Sequence, residues 1–364
     1  MNAVTELADH LRCHQIEVVT LESTSDYWRI WWVVLEAAGL RVQLASARAV
    51  KNVPGRAKTG KKDAVWLAKL TERGMLRPSF VPPPQARRLR EFTRLRAGLV
   101  HERTRYWARL EKLPERALIK ISAVASSVDT QPLRAMIEAL IAGQRNPKAQ
   151  ADLAKGRMRP KPAALAEALN GKFEDHHGEL ARIILDQTGT LTAQTGQLNA
   201  RISELIEAIP AAQGTGADGT TGPGAGTGPG APVLPAVARL DEITGCGTIA
   251  AQAIIAEIGL DMTVFGTPGR LVSWARRCPQ TRRSGTKTTS GKAGKGNPYL
   301  DAILGEIAAS AGRTGTFPGE RYRRLARRRG KRKAVTAVAR SVLVITFHLL
   351  AAPQARYRDL GPDF

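Results

Sequence analysis

The sequence is poor in cysteine. Its 364 residues include three cysteines, Cys13, Cys246 and Cys278, which lie far apart and form no CxxC pair. A disulfide framework or a cysteine zinc site needs several cysteines at short spacing, so the sequence predicts neither. Scattered cysteines are typical of proteins in a reducing compartment, and we expect this one in the cytoplasm.

Long hydrophobic runs are also missing. The most apolar run, Ser341–Ala352, follows Arg340 and has about half of the roughly 20 residues that cross a membrane. The sequence opens without the charged, apolar and small-residue order of a signal peptide. We therefore expect no membrane-spanning segment.

Acidic residues are few beside basic ones. The chain has 55 Lys and Arg against 32 Asp and Glu, which gives a formal net charge of +23 at pH 7. Solubility alone needs a smaller excess, so this balance predicts a polyanionic partner such as nucleic acid. The length exceeds that of most single domains, and we expect two domains with a connector.

The beginning of the chain alternates between strand and helix patterns. Glu17–Leu21 is a short β-branched run, a helical pattern follows and ends at Gly39, and Arg41–Ala45 is a second strand pattern. Strand, helix and strand in this order predict a parallel βαβ unit. Asp63–Met75 predicts a further amphipathic helix with an acid in its first turn.

Gln85–Lys112 predicts one long helix rich in arginine. Charge runs are most often a solvated helix face. The acidic residues along this run are limited to Glu91, Glu102 and Glu111, so we favour contact with nucleic-acid phosphates. The arginines predicted to make that contact are Arg87, Arg88, Arg94 and Arg105.

A second long helix is predicted over Gly178–Ile209. Leucine or isoleucine recurs every seven residues from Ile184 to Leu205, with threonine on much of the alternate seam. This weak, polar coiled-coil pattern needs a partner helix, either in the same chain or in a second subunit. Ala211–Pro232 then predicts a flexible linker, whose GxGxxG match lacks the flanking strand and helix of a dinucleotide site.

Two basic or glycine-rich patterns follow the linker. Leu240–Gly259 predicts two helices joined by a turn with Gly245 and Gly247. It resembles a helix-hairpin-helix, which presents backbone N–H groups to phosphate, although an ordinary helical hairpin has the same pattern. An apolar helix, Ala334–Leu350, is expected to pack against the hairpin. Before it, Arg321–Lys333 supplies four further candidates for phosphate contact: Arg327, Arg328, Lys331 and Arg332.

Ser284 lies in a basic, glycine-rich stretch, RRSGTKTTSGKAGKGNPYL. A serine hydroxyl becomes a nucleophile when a base or a positive field stabilises its alkoxide, and the neighbouring cations could do so. The alternative is a hydroxyl of a linker-like loop. The glycine spacing is one residue too long for a P-loop, and Ala293 replaces its hydroxyl residue, so ATP binding is not predicted. The cations predicted to contact phosphate here are Arg282, Arg283, Lys287 and Lys295.

Two acids stand where a metal-dependent nuclease needs them. Cleavage of a phosphodiester uses Mg²⁺ held by carboxylates at a strand end and in a neighbouring helix, and Glu22 and Asp63 occupy such places. An acid in the first turn of a helix also commonly serves only to stabilise the helix dipole. Spacing alone therefore does not decide between a metal ligand and this structural role. His10, Cys13 and His14 share a helix face but lack a fourth ligand, and zinc is not predicted.

Several blocks together resemble one known family. The segment LESTSDYWRIWWVVLEAAGLRVQLASARAVKNVPGRAKTGKKDAVWLAKL is similar to its pattern E-(S/A)-T-G-x-Y-W … VKNVPGRKTDxxDAxWLA. LRPSFVPPPQARRLRE, GKFEDHHGEL, ITGCGTIAA, WARRCP…RRSG…GKGNPYL and YRRLARRRGKRKAVTAVARSVLVITFHLL resemble further blocks in family order. The chain thus resembles transposases of the insertion-sequence-110 family, which includes Piv-type invertases and bridge-RNA-guided recombinases.

The resemblance implies an RuvC-like domain with a four-acid Mg²⁺ site, a coiled-coil arm and a carboxyl-terminal domain with a nucleophilic serine. Glu22 matches the family's glutamate, Asp63 its last aspartate, and Ser284 the serine that joins covalently to a DNA strand end. The implied partners are DNA, as element ends and target, a guide RNA that selects both sequences, and further copies in a homodimer or tetramer.

Two of the family's four acids are missing. The strand that carries the first aspartate does not precede the opening helix, so we expect an amino-terminal truncation. Gly60 stands at the position of the third acid, and Asp26 falls where the family has an apolar residue. Mg²⁺ would then be weakly held and the enzyme impaired. A noncatalytic DNA- or RNA-binding remnant is the alternative, and a Holliday-junction nuclease is a third.

The expected fold class is an incomplete α/β RuvC-like (RNase H-like) domain, a coiled-coil arm, and an all-α carboxyl-terminal domain with a helix-hairpin-helix. The expected boundaries are 1–120 for the RuvC-like domain, 121–210 for the arm, 211–232 for the linker, 233–352 for the carboxyl-terminal domain and 353–364 for a tail.

Overall fold

The fold is a mostly helical chain with a small sheet at its beginning. The computed structural model describes residues 2–23, 25–46, 60–120, 129–155, 162–214, 225–226, 228–229, 233–278, 281–290, 294 and 296–363. The chain divides into two compact units, residues 1–83 and 84–364. Each unit has its own architecture.

The first unit is built around a three-stranded sheet. Its elements in order are α1 (Asn2–Cys13), β1 (Val18–Glu22), α2 (Trp28–Ala37), β2 (Arg41–Ala45), α3 (Gly60–Glu72) and β3 (Pro78–Ser79). β1 runs parallel to β2, with Val18 beside Arg41 and Glu22 beside Ala45. This confirms the predicted parallel βαβ unit. β3 pairs with β2 in the antiparallel sense, so the sheet is mixed.

Side-chain contacts fix α3 against this sheet. The hydroxyls of Thr20 in β1 and Thr71 in α3 lie 2.6 Å apart, and Gln43 Nε2 in β2 donates to Thr20 Oγ1 over 2.7 Å. Leu70 of α3 is buried in a small cluster with Ala45 at the end of β2. The helix that carries Asp63 therefore packs on the strand that carries Glu22.

The second unit contains the remaining elements. Its helices are α4 (Pro84–Arg116), α5 (Gln131–Ile141), α6 (Pro147–Ala151), α7 (Pro162–Ala168), α8 (Asp175–Glu207), α9 (Ala236–Asp241), α10 (Thr248–Ile258), α11 (Pro268–Trp274), α12 (Pro298–Ala311), α13 (Phe317–Arg329) and α14 (Lys331–Ala351); its strands are β4 (Ala225–Gly226), β5 (Gly228–Pro229), β6 (Thr281–Ser284) and β7 (Lys287–Ser290).

α4 and α8, each 33 residues long, pair with one another. Arg96 donates to Asn199 (3.2 Å) and Arg103 donates to Thr192 (3.4 Å), so the helices run antiparallel. The partner helix required by the heptad pattern of α8 thus lies in the same chain. The expected boundaries place α4 in the first domain, whereas its contacts place it in the second unit. The proposed boundaries otherwise stay predictions.

An apolar cluster closes one end of this helix pair. Trp107 and Leu110 of α4 pack with Met136 of α5 and with Phe173 just before α8. Three short helices thus gather around this end of the α4–α8 pair, since Ala151 of α6 and Leu165 of α7 join the same cluster. The sequence signal for α6 and α7 is weak because each buries one apolar residue in this cluster.

α14 is the central helix of the carboxyl-terminal half. It packs against α9, α11, α12 and α13, and Val338, Val342 and Leu343 are fully buried. Within the described ranges α14 is the one helix whose length and composition would suit a membrane span, and half of its apolar window is buried in the protein. Helices of this kind form the cores of globular proteins. The predicted helix and its contact with the hairpin's first helix, α9, are confirmed.

The prediction of an all-α carboxyl-terminal domain is wrong. β6 and β7 form an antiparallel hairpin between α11 and α12, with Thr281 paired to Ser290 and Ser284 paired to Lys287. Threonine favours extended backbone, and a two-residue loop beginning with glycine is a hairpin signal. The stretch lacks apolar alternation, which is the reason that its sequence pattern predicts a loop. Much of the predicted linker lies outside the described residues, which include the small β4–β5 pair.

α9 and α10 form the predicted helical hairpin around two glycines. Gly245 has φ +84°, a conformation that L-residues with a side chain rarely adopt. A Cβ at this position would lie 2.7 Å from the carbonyl oxygen of Ile307 in α12. The absence of a side chain at Gly245 therefore allows the hairpin turn to pack closely on α12.

Gly245→Ala should destabilise the protein by at least about 2 kcal/mol, because a left-handed alanine and a steric overlap each cost about 1–3 kcal/mol. Gly305→Ala is the matched control, since Gly305 lies inside α12 with no atom within 4 Å of an added Cβ. Alanine there should be neutral or stabilise by up to about 1 kcal/mol. Chemical unfolding of both variants measures the difference, and equal stabilities would contradict this packing.

Candidate catalytic and nucleic-acid-binding site

Ser284 is the last residue of β6, directly before the turn of the β6–β7 hairpin. The loop consists of Gly285, with φ +59°, and Thr286, and both are exposed. Arg283 lies opposite Thr288 and Arg282 opposite Thr289 in the ladder. The backbone thus brings the serine and three of the predicted phosphate contacts, Arg282, Arg283 and Lys287, to one end of the hairpin. Lys295 lies outside the described residues.

Two glycines that follow the hairpin in the sequence, Gly294 and Gly296, lie close to the end of α11. Arg276 has φ +57°, and its side chain lies against Gly294 and Gly296. A Cβ on Gly296 would be 2.6 Å from the carbonyl oxygen of Ala275. The chain therefore leaves the helical core and returns to it within one small region.

A buried carboxylate, Glu257, joins that region to the long helix α4. Glu257 lies in the last turn of α10 and is 2% exposed. Arg94 of α4 donates to both carboxylate oxygens, over 2.8 and 2.9 Å. Arg90 Nε lies 3.1 Å from Oε2 and also donates to the carbonyl of Ala256 over 2.9 Å. Asn297 Nδ2 donates to Oε2 over 2.5 Å.

These contacts correct the expectation that Arg94 faces nucleic acid. Its guanidinium is bound by Glu257 and stacks on Tyr299, 4.6 Å from the ring centroid. Burial of an ion is unfavourable unless a partner compensates it, so Arg94 and Glu257 satisfy each other. Arg94 belongs to the interior contact, whereas Arg88 and Arg105 of the same helix are exposed and Arg87 is half-buried.

Arg96 is a second arginine of α4 that faces inward. It is 4% exposed and donates to Gln252 (2.8 Å), to the carbonyl of Ile249 (3.0 Å) and to Asn199. Burial lowers the pKa of Arg96, and these three acceptors offset its desolvation. These hydrogen bonds connect α4 to the first turns of α10.

The two predicted metal ligands lie in the first unit. Glu22 ends β1, Asp63 lies in the first turn of α3, and both are half-buried. Side chains alternate between the two faces of a strand, so Glu22 lies on the same sheet face as Thr20. The hydroxyl of Thr20 is hydrogen-bonded to that of Thr71 in α3. Gly60 is the first residue of α3 and supplies no side-chain ligand. Asp26 is exposed and pairs with Arg29 over 3.0 Å.

The basic patch joins the end of α13 to the start of α14. Gly330, with φ +85°, separates the two helices. The first turn of α14 holds cations and no acid, although a helix amino terminus favours negative charge. An anion would relieve this repulsion. The four exposed candidates, none of which has an ion pair in the described part of the chain, are Arg327, Arg328, Lys331 and Arg332.

Family comparisons agree with this arrangement. Residues 1–117 match a transposase family model, the DEDD type of IS110 elements. Residues 237–323 match the model of the transposase IS116/IS110/IS902 family. The two matches together cover more than half of the chain. The chain belongs to the IS110 family of transposases. No curated protein matches it.

Both glycines of the helical hairpin in this transposase, Gly245 and Gly247, are exposed. Gly247 caps α10 and is exposed beside Thr248, so backbone N–H groups of the first turn face outward. Gly245 instead packs on α12. Of the two glycines proposed for phosphate contact, the geometry is favourable for Gly247.

A cluster of Glu174, His176 and His177 lies at the start of α8. Ligand atoms of Glu174, His176 and His177 lie within 4.8 Å of one another. The backbone N–H of Glu174 donates to His177 Nδ1 over 3.2 Å, as part of a capping box. Burial, followed by neighbouring His176, lowers the pKa of His177. The positive end of a helix disfavours a cation, so the cluster is a helix cap.

A carboxyl-terminal strap, residues 353–361, holds the beginning of α13 against α9. Glu242, just after α9, accepts from Arg356 Nε (2.5 Å) and from the backbone N–H of Tyr357 (2.9 Å). Asp359 accepts from the Tyr357 hydroxyl (2.7 Å) and from the backbone N–H of Phe317 (3.0 Å). The predicted tail therefore supports the helix that carries the basic patch.

Asp359 makes this support dependent on pH. Burial alone would raise its pKa, but hydrogen bonds from Tyr357, Phe317 and Gly361 outweigh burial and lower the pKa of Asp359 below its ordinary value. Burial and the adjacent carboxylate raise the pKa of Tyr357, which keeps the phenol proton available to donate. A carboxylate with a lowered pKa stabilises the fold while it is ionised.

Asp359→Asn should therefore destabilise the transposase at neutral pH. The difference from the wild type should be complete above the unfolded pKa of about 3.9 and vanish as the pH falls through the lower folded value. Urea unfolding between pH 7 and pH 3 measures it, with the exposed Asp363→Asn as control. A difference that does not depend on pH in this range would show that the carboxylate charge has no such role.

Proposed function

We propose that the protein is a DNA recombinase of an insertion sequence in which Ser284 is the nucleophile. Its position at the exposed end of the β6–β7 hairpin, among Arg282, Arg283 and Lys287, is the observation that supports this role. Cations next to a serine stabilise both the alkoxide and the charge on a phosphate.

The chemistry conserves phosphodiester bonds. Ser284 Oγ attacks the scissile phosphorus and loses its proton, and the departing sugar oxygen takes up a proton as its bond to phosphorus breaks. A sugar hydroxyl of a second strand then attacks the serine ester and releases Oγ. Each step exchanges one ester for another, so the reaction needs no external energy source.

Mg²⁺ is the proposed cofactor, and Glu22 and Asp63 are the proposed ligands. The donor set suits this ion, which commonly uses one or two carboxylates together with water and phosphate oxygens. When bound, it would neutralise charge at the scissile phosphate. Because Gly60 offers no carboxylate, we propose that Mg²⁺ is weakly held and that the activity is reduced. A noncatalytic nucleic-acid-binding remnant is the second candidate, favoured by the same glycine.

The proposed nucleic-acid surface consists of exposed cations and the α9–α10 turn. It includes the patch across Gly330, together with Arg88, Arg105 and Gly247. We propose that it holds the backbones of element-end DNA, target DNA and a guide RNA, while base pairing reads the sequence. Assembly as a dimer or tetramer in the cytoplasm completes the proposal. Since α4 and α8 pair within one chain, the assembly would use other surfaces.

Recombination of element ends and target, with flanking RNA and Mg²⁺, tests the catalytic proposal. Ser284→Ala should abolish the covalent protein–DNA product and leave binding unchanged. Glu22→Gln and Asp63→Asn should each lower the rate at least about tenfold, and Gly60→Asp should raise it, because a further carboxylate holds the metal. Thr286→Ala is the matched hairpin control and should react like the wild type.

The outcomes separate the two candidates. If the wild type and Gly60→Asp both bind DNA without forming product, the protein is a noncatalytic remnant. If Ser284→Ala still gives covalent product, the serine assignment is wrong.

Removal of the basic patch should reduce the salt dependence of binding. Changing Arg327, Arg328, Lys331 and Arg332 to glutamine should weaken binding to duplex DNA of any sequence. The slope of log K against log salt should fall by up to about 0.9 for each phosphate that the variant no longer neutralises. Arg201→Gln is the control, since Arg201 is exposed but already pairs with Glu204 over 2.7 Å. Equal slopes for all proteins would exclude the patch from the interface.

A further inference from the structure

We propose that Glu257 is a positioning residue for the serine hairpin and that it acts through Asn297. The inference rests on the proposed role of Ser284 as nucleophile. It concerns a carboxylate buried in the helical core, on a different element from the serine.

Glu257 lies where a negative charge is unfavourable unless cations compensate it. It lies in the last turn of α10, where the helix dipole is negative, and it is 2% exposed. Arg94 binds both of its oxygens, and Arg90 binds Oε2 and the end of the α10 backbone. Two guanidinium groups from the arm therefore fix the carboxylate in one orientation, because the buried charge has no water to replace them.

Asn297 connects this fixed carboxylate to the start of α12. Its Oδ1 accepts from the backbone N–H groups of Tyr299 (3.0 Å) and Leu300 (3.3 Å), which makes it the N-cap of the helix. Its Nδ2 donates to Glu257 Oε2. Both ends of the amide are thus engaged, and neither bond can change without moving residue 297.

Asn297 follows the hairpin in the sequence, after the end of β7 at Ser290. Gly296 packs against the carbonyl of Ala275, and Gly294 lies against Arg276 on the outgoing side. Arg277 donates to the carbonyl of Asp301 over 2.9 Å and pairs with its carboxylate. In the described residues β6 and β7 pack mainly with each other. On this proposal, the contact of Glu257 with Asn297 fixes the direction in which the hairpin leaves the core.

Three substitutions distinguish the contact between Asn297 and Glu257 from the role of Asn297 as the N-cap of α12. Serine and aspartate are good N-caps, so Asn297→Ser keeps the cap and loses the donor to Glu257. Asn297→Asp keeps the cap and places a second carboxylate against Glu257. Glu257→Gln keeps the shape of the side chain and removes the charge that pairs with Arg90 and Arg94. Asn146→Ser is the control for an asparagine cap, at α6.

Distances between spin labels give a readout that does not need activity. Spin labels attached at Thr286→Cys and Arg340→Cys, both exposed sites, report the distance between the hairpin and α14. Cys13 and Cys278 are changed to serine, and Cys246 stays because it is buried. Asn297→Asp and Asn297→Ser should at least double the width of the distance distribution. Glu257→Gln should broaden the distribution in the same way, whereas Asn146→Ser should keep it narrow. A narrow distribution for Asn297→Asp or for Glu257→Gln would overturn the proposal.

Kinetics provides the second readout. At saturating DNA, Asn297→Asp should slow formation of the covalent product at least tenfold without changing the Kd for DNA, and Asn146→Ser should react like the wild type. A merely structural defect would instead lower the amount of active protein and leave the rate constant unchanged. If Ser284→Ala reacts normally, the proposed nucleophile is wrong, while the label distances still test the role of Glu257.

Discussion

The buried carboxylate of Glu257 is the contact on which the arrangement of the second unit depends. It lies at the negative end of α10, where a carboxylate is unfavourable without cations. Arg90 and Arg94 come from the arm and Asn297 from the start of α12. One carboxylate thus links α4, the helical hairpin and the start of α12, and these elements are far apart in the sequence.

The paired helices α4 and α8 add a second polar connection. Their contact surface includes Arg96, Thr188 and Thr195 among its buried residues. Such residues stabilise a coiled coil less than leucine does. The threonine hydroxyls bond to carbonyls of α8 itself, whereas the hydrogen bond from Arg96 to Asn199 crosses between the helices and favours one register. Arg96 also reaches α10 through Gln252 and Ile249. The arm is therefore held at a defined position against the domain that carries Ser284, a useful property in a protein that must align nucleic-acid strands.

Local patterns predict the elements well. The β-branched run before α2, the glycine at its end and the next strand pattern indicate the parallel pair, because the signals lie within a few residues. The heptads of α8 predict a partner helix, and a dense run of cations predicts the patch around Gly330. The sequence resemblance points to the family that the comparisons establish.

The remaining features depend on contacts that no local pattern records. The charge run of α4 does not say which arginines face inward, and Arg94 meets Glu257 from 163 residues away. The β6–β7 hairpin escapes prediction because its strands lack apolar alternation, although a two-residue loop starting at Gly285 is a usable signal. Asn297 has the sequence context of a basic loop and is a helix cap bonded to a buried acid.

The most direct measurement is identification of the amino acid that becomes joined to DNA. Reaction with labelled element-end DNA in Mg²⁺, followed by nuclease trimming, proteolysis and mass spectrometry, would locate the modified peptide. The account predicts a nucleotide attached to Ser284, in the peptide that includes the hairpin turn. Attachment to a different residue would contradict the proposed nucleophile, and strand transfer without any attached nucleotide would contradict covalent catalysis altogether.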